Sequence, residues 1–335
     1  MRPGGSSRLR ARPRTGGALL CVLASMVVGC GLETPRADAA AEESGAERFV
    51  VDGRGVRLPL TTPRERVVSL VPSLTEVVAA VGGAGQLVGR TRFDEDPRVA
   101  GVPSVGGTVD PDVEAILDLR PDLVITWSDA DARSLTDRFE GFGIPVYAAR
   151  ARSIADFERH TLALGALLGR DDEGRAVVRD VRRRLDALRV DVSGEDDRPS
   201  VLFVVWPRPL ITTGGGTFVD ELIRVVGGRG TFDDVRDPWP TVSFEQVLER
   251  RPDVVVVASE HAEGLVPDWI ERDPLWNSLA AVRSGHVHLV DADLFNRPGP
   301  RMAEAAEELA GYVRATRSDD RATSRDGDAG RGGRR

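Results

Sequence analysis

The sequence predicts an α/β fold of two similar lobes, each built on a central, mostly parallel sheet, bridged by a long helix. Three observations predict it. A pattern of strand, helix closed by two glycines, loop, helix, Arg-Pro-Asp and strand occurs twice in the same order. A strongly helical stretch separates the two copies. The chain has 335 residues, 41% of them hydrophobic and 29% charged, enough for one large core or two modest ones.

The first copy opens at Arg66-Val67-Val68-Ser69-Leu70-Val71, a short β-branched run that Pro72 bounds, as expected of a buried strand. The helix that follows has Ser73 as its expected N-cap and Glu76, three residues on, as the capping-box partner, and it stops at Gly82-Gly83. A second helix from about Pro111 to Leu119 ends at Arg120-Pro121-Asp122 and feeds the strand Leu123 to Trp127. In the second copy, Asp220-Glu221-Leu222-Ile223 to Gly227-Gly228 repeats Thr75-Glu76-Val77-Val78 to Gly82-Gly83. Phe244-Glu245 to Arg251-Pro252-Asp253-Val254 likewise repeats Val113-Glu114 to Arg120-Pro121-Asp122-Leu123. Alternating strands and helices gather their loops at the carboxyl ends of the strands, and two such ends facing each other make a cleft.

Between the copies, Ser153 to about Arg189 reads as helix on both sides of Gly169. In its second part Val177, Val181, Leu185 and Leu188 recur every three or four residues on one face. A helix crossing from lobe to lobe acts as a stiff strut and limits hinge closure.

Residues 1–29 have the layout of an export signal, with an Arg-rich start and an apolar run from Ala18 to Val28 too short to span a bilayer comfortably. The run ends in Val27-Val28-Gly29-Cys30, which resembles the lipobox of bacterial lipoproteins. That resemblance implies lipidation at Cys30 and an exported protein anchored at the cell envelope, in the periplasm or on the outer face of the cytoplasmic membrane. Cys21 and Cys30 are the only cysteines, so a mature chain starting at Cys30 has no disulfide. The expected organisation is a tether over 30–63, an N-terminal lobe over 64–152, a helical linker over 153–197, a C-terminal lobe over 198–316 and a disordered tail over 317–335.

The formal charge is −8, and it becomes more negative once the arginines of the leader are removed. An acidic chain is a poor nucleic-acid ligand, because phosphate binding relies on clustered cations that displace counterions. Every basic side chain other than histidine is arginine; the chain has no lysine. Enzyme classes find no anchor. Thr213-Gly214-Gly215-Gly216-Thr217 before a helix suits a phosphate cradle but lacks the P-loop lysine, no Gly-x-Ser-x-Gly elbow occurs, and the mature chain offers no internal cysteine nucleophile. No catalytic residue is therefore expected. Nor is a metal site, since the four histidines, His160, His261, His286 and His288, are too few and scattered to converge with a third ligand.

Taken together, Val68 to Glu76, Val105-Gly106-Gly107-Thr108-Val109-Asp110-Pro111-Asp112, the two Arg-Pro-Asp junctions, Trp239-Pro240-Thr241-Val242-Ser243 and Arg297-Pro298-Gly299-Pro300-Arg301 resemble the cobalamin and iron-siderophore class of ABC substrate-binding proteins. The resemblance covers about 64–314 and implies the class III periplasmic binding protein architecture. It further implies a monomer that takes a small molecule in the interlobe cleft, carries no cofactor, and hands its cargo to an ABC permease with its ATPase. In that family a glutamate on the first helix of each lobe meets permease arginines, and the matching positions here are Glu76 and Glu221. Cleft candidates are Ser73, Phe93, Gly107, Thr108, Trp127, Trp206, Trp239, Phe295 and Arg297. Cobalamin is the first-choice ligand, since the stretch from Phe93 to Asp112 is most similar to that branch. A ferric siderophore is the alternative, with Arg92, Arg208 and Arg297 as cations, and haem a further one, for which only Tyr147, Tyr312 and the histidines offer axial ligands.

Overall fold

A computed structural model describes residues 48–130, 132–190, 194, 198–259, 270 and 272–329, with side chains described as far as Arg317. Cys30 and His261 lie outside the described residues.

The N-terminal lobe carries a four-stranded parallel sheet in the order β4 (Leu87–Gly89), β3 (Val67–Ser69), β5 (Leu123–Trp127), β6 (Val146–Ala149). In the C-terminal lobe β9 (Arg229–Gly230), β7 (Ser200–Pro207), β10 (Val254–Ser259) and β11 (Val287–Asp291) lie in the equivalent order and are likewise parallel. Within these two sheets one strand has no counterpart. β8 (Leu210–Thr212) turns back antiparallel along the far half of β7.

Side chains alternate across each sheet. Val67, Leu123 and Ile125 face one core cluster while Val68, Leu70 and Val124 face another, and Val201, Phe203, Val254 and Val256 part from Leu202, Val204, Val255 and Val257 in the same way. Both faces are covered, which is why these strands read as unbroken apolar runs. Each lobe keeps one face to itself. The remaining faces meet in one shared cluster that runs from Leu74 and Val78 through Phe157, Leu164, Val181 and Leu185 to Leu222, Phe295 and Met302.

The repeated motifs have repeated backbone geometry. Among the described residues the only non-glycine positions with positive φ are Arg120 at 47° and Arg251 at 49°, the arginines of the two Arg-Pro-Asp junctions. The following proline disfavours the helical region for each arginine, and the left-handed turn swings the chain from helix to strand. The aspartates then tie the new strand to the first one of their lobe. Asp122 accepts from Glu65 N at 2.8 Å and Arg66 N at 3.1 Å, and Asp253 accepts from Ser200 N at 2.7 Å. Helices α1 (Pro72–Ala80) and α6 (Phe218–Val225) both end on a left-handed glycine, Gly82 at φ 80° and Gly227 at φ 81°. Gly83 N and Gly228 N then return to Val78 O and Ile223 O at 2.8 Å, closing the same six-residue loop.

The linker is a pair of helices rather than a single strut. α4 (Ile154–Leu167) packs on α1, and α5 (Asp171–Leu188) returns along it to meet α6 and α10 (Met302–Ala329). Three further boundaries differ from the sequence expectation. Residues 48–63, assigned to the tether, belong to the N-terminal lobe through a hairpin of β1 (Phe49–Val51) and β2 (Arg57–Pro59). Asp52 fastens that hairpin by accepting from Arg54 Nε at 2.7 Å and from Ala148 N at 3.2 Å. At α1 the N-cap is Val71 and Pro72 occupies the first turn, so Ser73 caps nothing and Glu76 is no capping-box partner. Proline fits there because that N–H would be unpaired in any case. Finally, α10 runs on to Ala329, past the residue 317 from which a disordered tail is expected.

Several arginines tie loop carbonyls. Arg66 donates to Leu119 O and Arg120 O, and Arg90 donates to the carbonyls of Val99, Thr91 and Asp94.

His288 on β11 stacks on Tyr312 of α10 with ring centroids 3.8 Å apart. Burial, aided by the neighbouring His286, pushes its pKa down to about 4. A histidine held neutral when folded stabilises the fold fully above its unfolded pKa and loses that contribution as pH falls. His288→Phe, which keeps the stack, is expected to show a shallower loss of stability than the parent between pH 6.5 and 4. Urea unfolding across that range measures it.

Candidate functional site: an interlobe cleft

The strands of both lobes point their carboxyl ends at a cavity of about 520 Å³. The N-terminal lobe supplies Trp127 and Ser128 at the end of β5 and Ala149 to Arg152 at the end of β6; the C-terminal lobe supplies Phe218, Trp239, Asn296 and Pro298. Ligand sites of open α/β sheets form at this end of the strands. Trp127 is paired in register with Ala149 on β6, whose small side chain leaves the indole room. Trp239 rides on residues 237–242, which are stitched to β8 and the glycine loop by Gly214 N to Pro238 O at 3.0 Å, Thr212 N to Pro240 O at 3.2 Å and Val242 N to Leu210 O at 2.9 Å. Ser128 Oγ and Asn296 Oδ1 are buried in the wall without a protein hydrogen-bond partner. Such groups cost about 1–3 kcal/mol unless a water or ligand satisfies them, so the cavity wall is polar at defined points and apolar elsewhere.

A second cavity of about 500 Å³ adjoins the first and shares Arg150 and Arg152 with it; Asp52, Asp156, Arg159 and Gly216 also contribute to its lining.

The other expected residues are distributed unevenly. Ser73 is buried with its hydroxyl unpaired at the start of α1. Phe93 is exposed, with the Arg92 guanidinium 4.8 Å from its ring centroid. Gly107 is buried, and a side chain there would collide with Asp110; Thr108 beside it is half-buried. Trp206 is exposed and donates its indole N–H to Arg208 O at 3.0 Å. None of these lines the first cavity. Phe295 is withdrawn from the ligand set: it is fully buried and stacks on Phe203 in the shared core. Arg297 spans the lobes instead of facing the cavity, donating to Phe93 O at 3.0 Å and pairing with Asp293 at 2.7 Å.

Glu76 and Glu221 are both engaged inside the protein. Glu76 is buried on α1 and bonds Arg301 of the other lobe at 3.2 and 3.4 Å, with Arg297 at 3.9 Å. Burial raises its pKa, and the Arg301 hydrogen bond opposes the rise. Glu221 accepts from Ile154 N at 2.7 Å, satisfying one of the unpaired amides at the start of α4. Burial also raises its pKa, against that bond. Thr217 caps α6 by accepting from Asp220 N at 3.2 Å, and the Asp220 carboxylate in turn accepts from Gly216 N at 2.9 Å. The remaining glycine-loop amides of Gly214 and Gly215 go to Pro238 O and Val235 O, so the loop has no free cradle for a phosphate. Of the axial candidates for haem among the described residues, Tyr147 is buried against His160 at 2.6 Å and Tyr312 stacks on His288. No cluster of metal-ligating side chains occurs among the described residues.

Sequence reasoning missed Ser128, Arg150, Arg152 and Asn296. Their signal was position: each lies at or just beyond the carboxyl end of a strand or a short helix bordering the cleft.

Residues 67–294 match the family described as periplasmic binding protein. A vitamin B12-binding protein of Vibrio vulnificus is 31% identical over 251 residues, 74% of this chain and 89% of the relative. A Bacillus subtilis protein named as an uncharacterized ABC transporter substrate-binding lipoprotein is 28% identical over 302 residues, 88% of this chain and 94% of the relative. The crystal structure of the periplasmic vitamin B12-binding protein BtuF of Vibrio cholerae superimposes with a TM-score of 0.64 at 28% identity, covering 76% of this chain and 98% of that one.

Two substitutions test the engaged glutamates by urea unfolding. Glu221→Ala is expected to cost about 1 kcal/mol as a lost helix cap, with Glu221→Gln recovering most of it through its amide oxygen. Glu76→Ala is expected to cost about 1 kcal/mol, because Arg301, 43% exposed, is rehydrated when it loses its anion. With its architecture, its cleft and the match over most of both lobes, the chain belongs to the periplasmic binding protein family.

Proposed function

We propose that this protein is the extracytoplasmic substrate-binding component of an ABC importer and that it captures cobalamin or a related corrinoid between its lobes for delivery to the permease. The observation that carries the reading is the two-walled cavity, lined by Trp127 from one lobe and Trp239 from the other. Two indoles, Pro298 and a few polar points suit a broad apolar ring system with an amide-bearing rim. The vitamin B12-binding names of the Vibrio relatives support the same ligand. A lipid anchor at Cys30 is part of the proposal, supported by Val27-Val28-Gly29-Cys30 and by the lipoprotein name of the Bacillus relative.

Docking to the permease is better served by another pair of carboxylates than by Glu76 and Glu221. Glu114 and Glu245 occupy equivalent positions in the repeat, in the first turns of α2 (Val113–Asp118) and α7 (Phe244–Arg250), and both are exposed. One free carboxylate on each lobe can fix orientation on paired arginines and speed encounter, without first giving up an internal partner.

Titration of the purified protein with cobalamin, followed by tryptophan fluorescence, tests the ligand. Saturation at one equivalent is expected, with Trp127→Ala and Trp239→Ala each weakening binding about tenfold. No response to cobalamin alongside saturation by a ferric siderophore would transfer the reading to that class. Charge reversal at both Glu114 and Glu245 is expected to abolish uptake by cells while leaving the dissociation constant unchanged; normal uptake by the double variant would refute the docking pair.

A further inference from the structure

We infer that Arg150 and Arg152 form an anion-reading pair in the cleft, so that the ligand carries a carboxylate or phosphate at its edge. This deepens the proposed function and rests on its placement of the ligand in the interlobe cavity. Both side chains are exposed, and both line the two adjoining cavities. They stand one residue apart, immediately after the last residue of β6, with half-buried Ala151 between them.

Two of the three surrounding carboxylates, Asp52 and Asp156, are committed elsewhere, and the third, Asp129, is partly so. Asp52 is taken by Arg54 and by the amides of Arg54, Val56 and Ala148. Asp156 bonds Arg159 at 2.7 Å and Arg152 N at 2.9 Å. Asp129 lines the first cavity and spends one oxygen on Ala132 N at 2.8 Å. Among the described residues no carboxylate forms an ion pair with the guanidinium of Arg150 or Arg152, whereas Arg159, which lines the second cavity with them, is paired with Asp156 at 2.7 Å. The three arginines considered from the sequence are spent: Arg92 on Asp110, Arg208 on Asp273, and Arg297 on Asp293 and Phe93 O. The cleft thus combines an aromatic wall with an unneutralised cationic rim, and the fixed fork of each guanidinium matches a carboxylate or phosphate in bidentate fashion.

Three cyano-corrinoids separate the sources of the charge. Cobinamide carries amides and no nucleotide phosphate, cobalamin adds the phosphodiester, and a cobalamin monocarboxylic acid adds a hydrolysed rim amide. With the full chain at low salt, the parent is expected to bind an anionic member at least about tenfold more tightly than cobinamide, and the preference should shrink as salt is raised. Arg150→Ala/Arg152→Ala should remove that preference and leave cobinamide affinity within about twofold. Circular dichroism establishes that the variant is folded. A preference for cobalamin over cobinamide assigns the phosphate, and one for the monocarboxylic acid over cobalamin assigns a rim carboxylate. Equal affinity of the parent for all three, or equal loss on all three in the variant, overturns the inference. If no corrinoid binds, the corrinoid reading falls, and the pair is decided on an anionic ferric tris-catecholate against cationic ferrioxamine. Arginine-dependent preference for the anionic complex upholds it; indifference to charge, or binding of neither, overturns it.

Discussion

The hydrophobic cluster shared by the two lobes is the constraint on which the rest of the structure depends. Each sheet gives one face to it, and the pair of linker helices fills the space between through Phe157, Leu164, Val181 and Leu185. Lobes held this way cannot swing apart on an extended hinge without exposing core side chains, at roughly 25 cal/mol for each Å² of apolar surface. The cleft therefore keeps nearly one shape. Polar fastenings lie above that core: Glu76 with Arg301, Arg297 with the Phe93 carbonyl, and Glu221 on the first amide of α4. They can yield in small movements where the core cannot.

Duplication explains the scaffold, and departures from it explain the site. Helix ends, glycine pairs and Arg-Pro-Asp turns are alike in the two lobes because each solves the same problem, reversing a helix into a parallel strand. The unlike parts all border the cleft. β8 and the glycine loop place Trp239 in the second lobe, while the hairpin before β3 and the arginines after β6 shape the first. At Gly214 and Gly215 an added side-chain carbon would fall 1.9 Å from Asp237 O and 2.1 Å from Asp233 O, so that close approach demands glycine.

What was legible in the sequence was local. β-Branched runs mark the buried strands, and the recurrence of Gly-Gly and Arg-Pro-Asp marks the doubled fold. The fate of Glu76 was not legible, because its partner Arg301 lies 225 residues away and no periodicity reports on such a pair. Phe295 looked the same as a cleft aromatic, and only the three-dimensional packing put Phe203 against it. The hairpin escaped notice because its strands have three residues each, too few for the alternation that turns Val50 and Leu58 inward to stand out. Arg150 and Arg152 were not legible because nothing local in the sequence marks a pair of side chains that lines both cavities.

The arginine ties make each of these loops lean on a single side chain. A guanidinium offers five donors in a fixed fork, so Arg66 closes on two carbonyls and Arg90 on three, where the point charge of an ammonium has no such planar reach. Exchange of either for lysine would keep the charge and lose the brace.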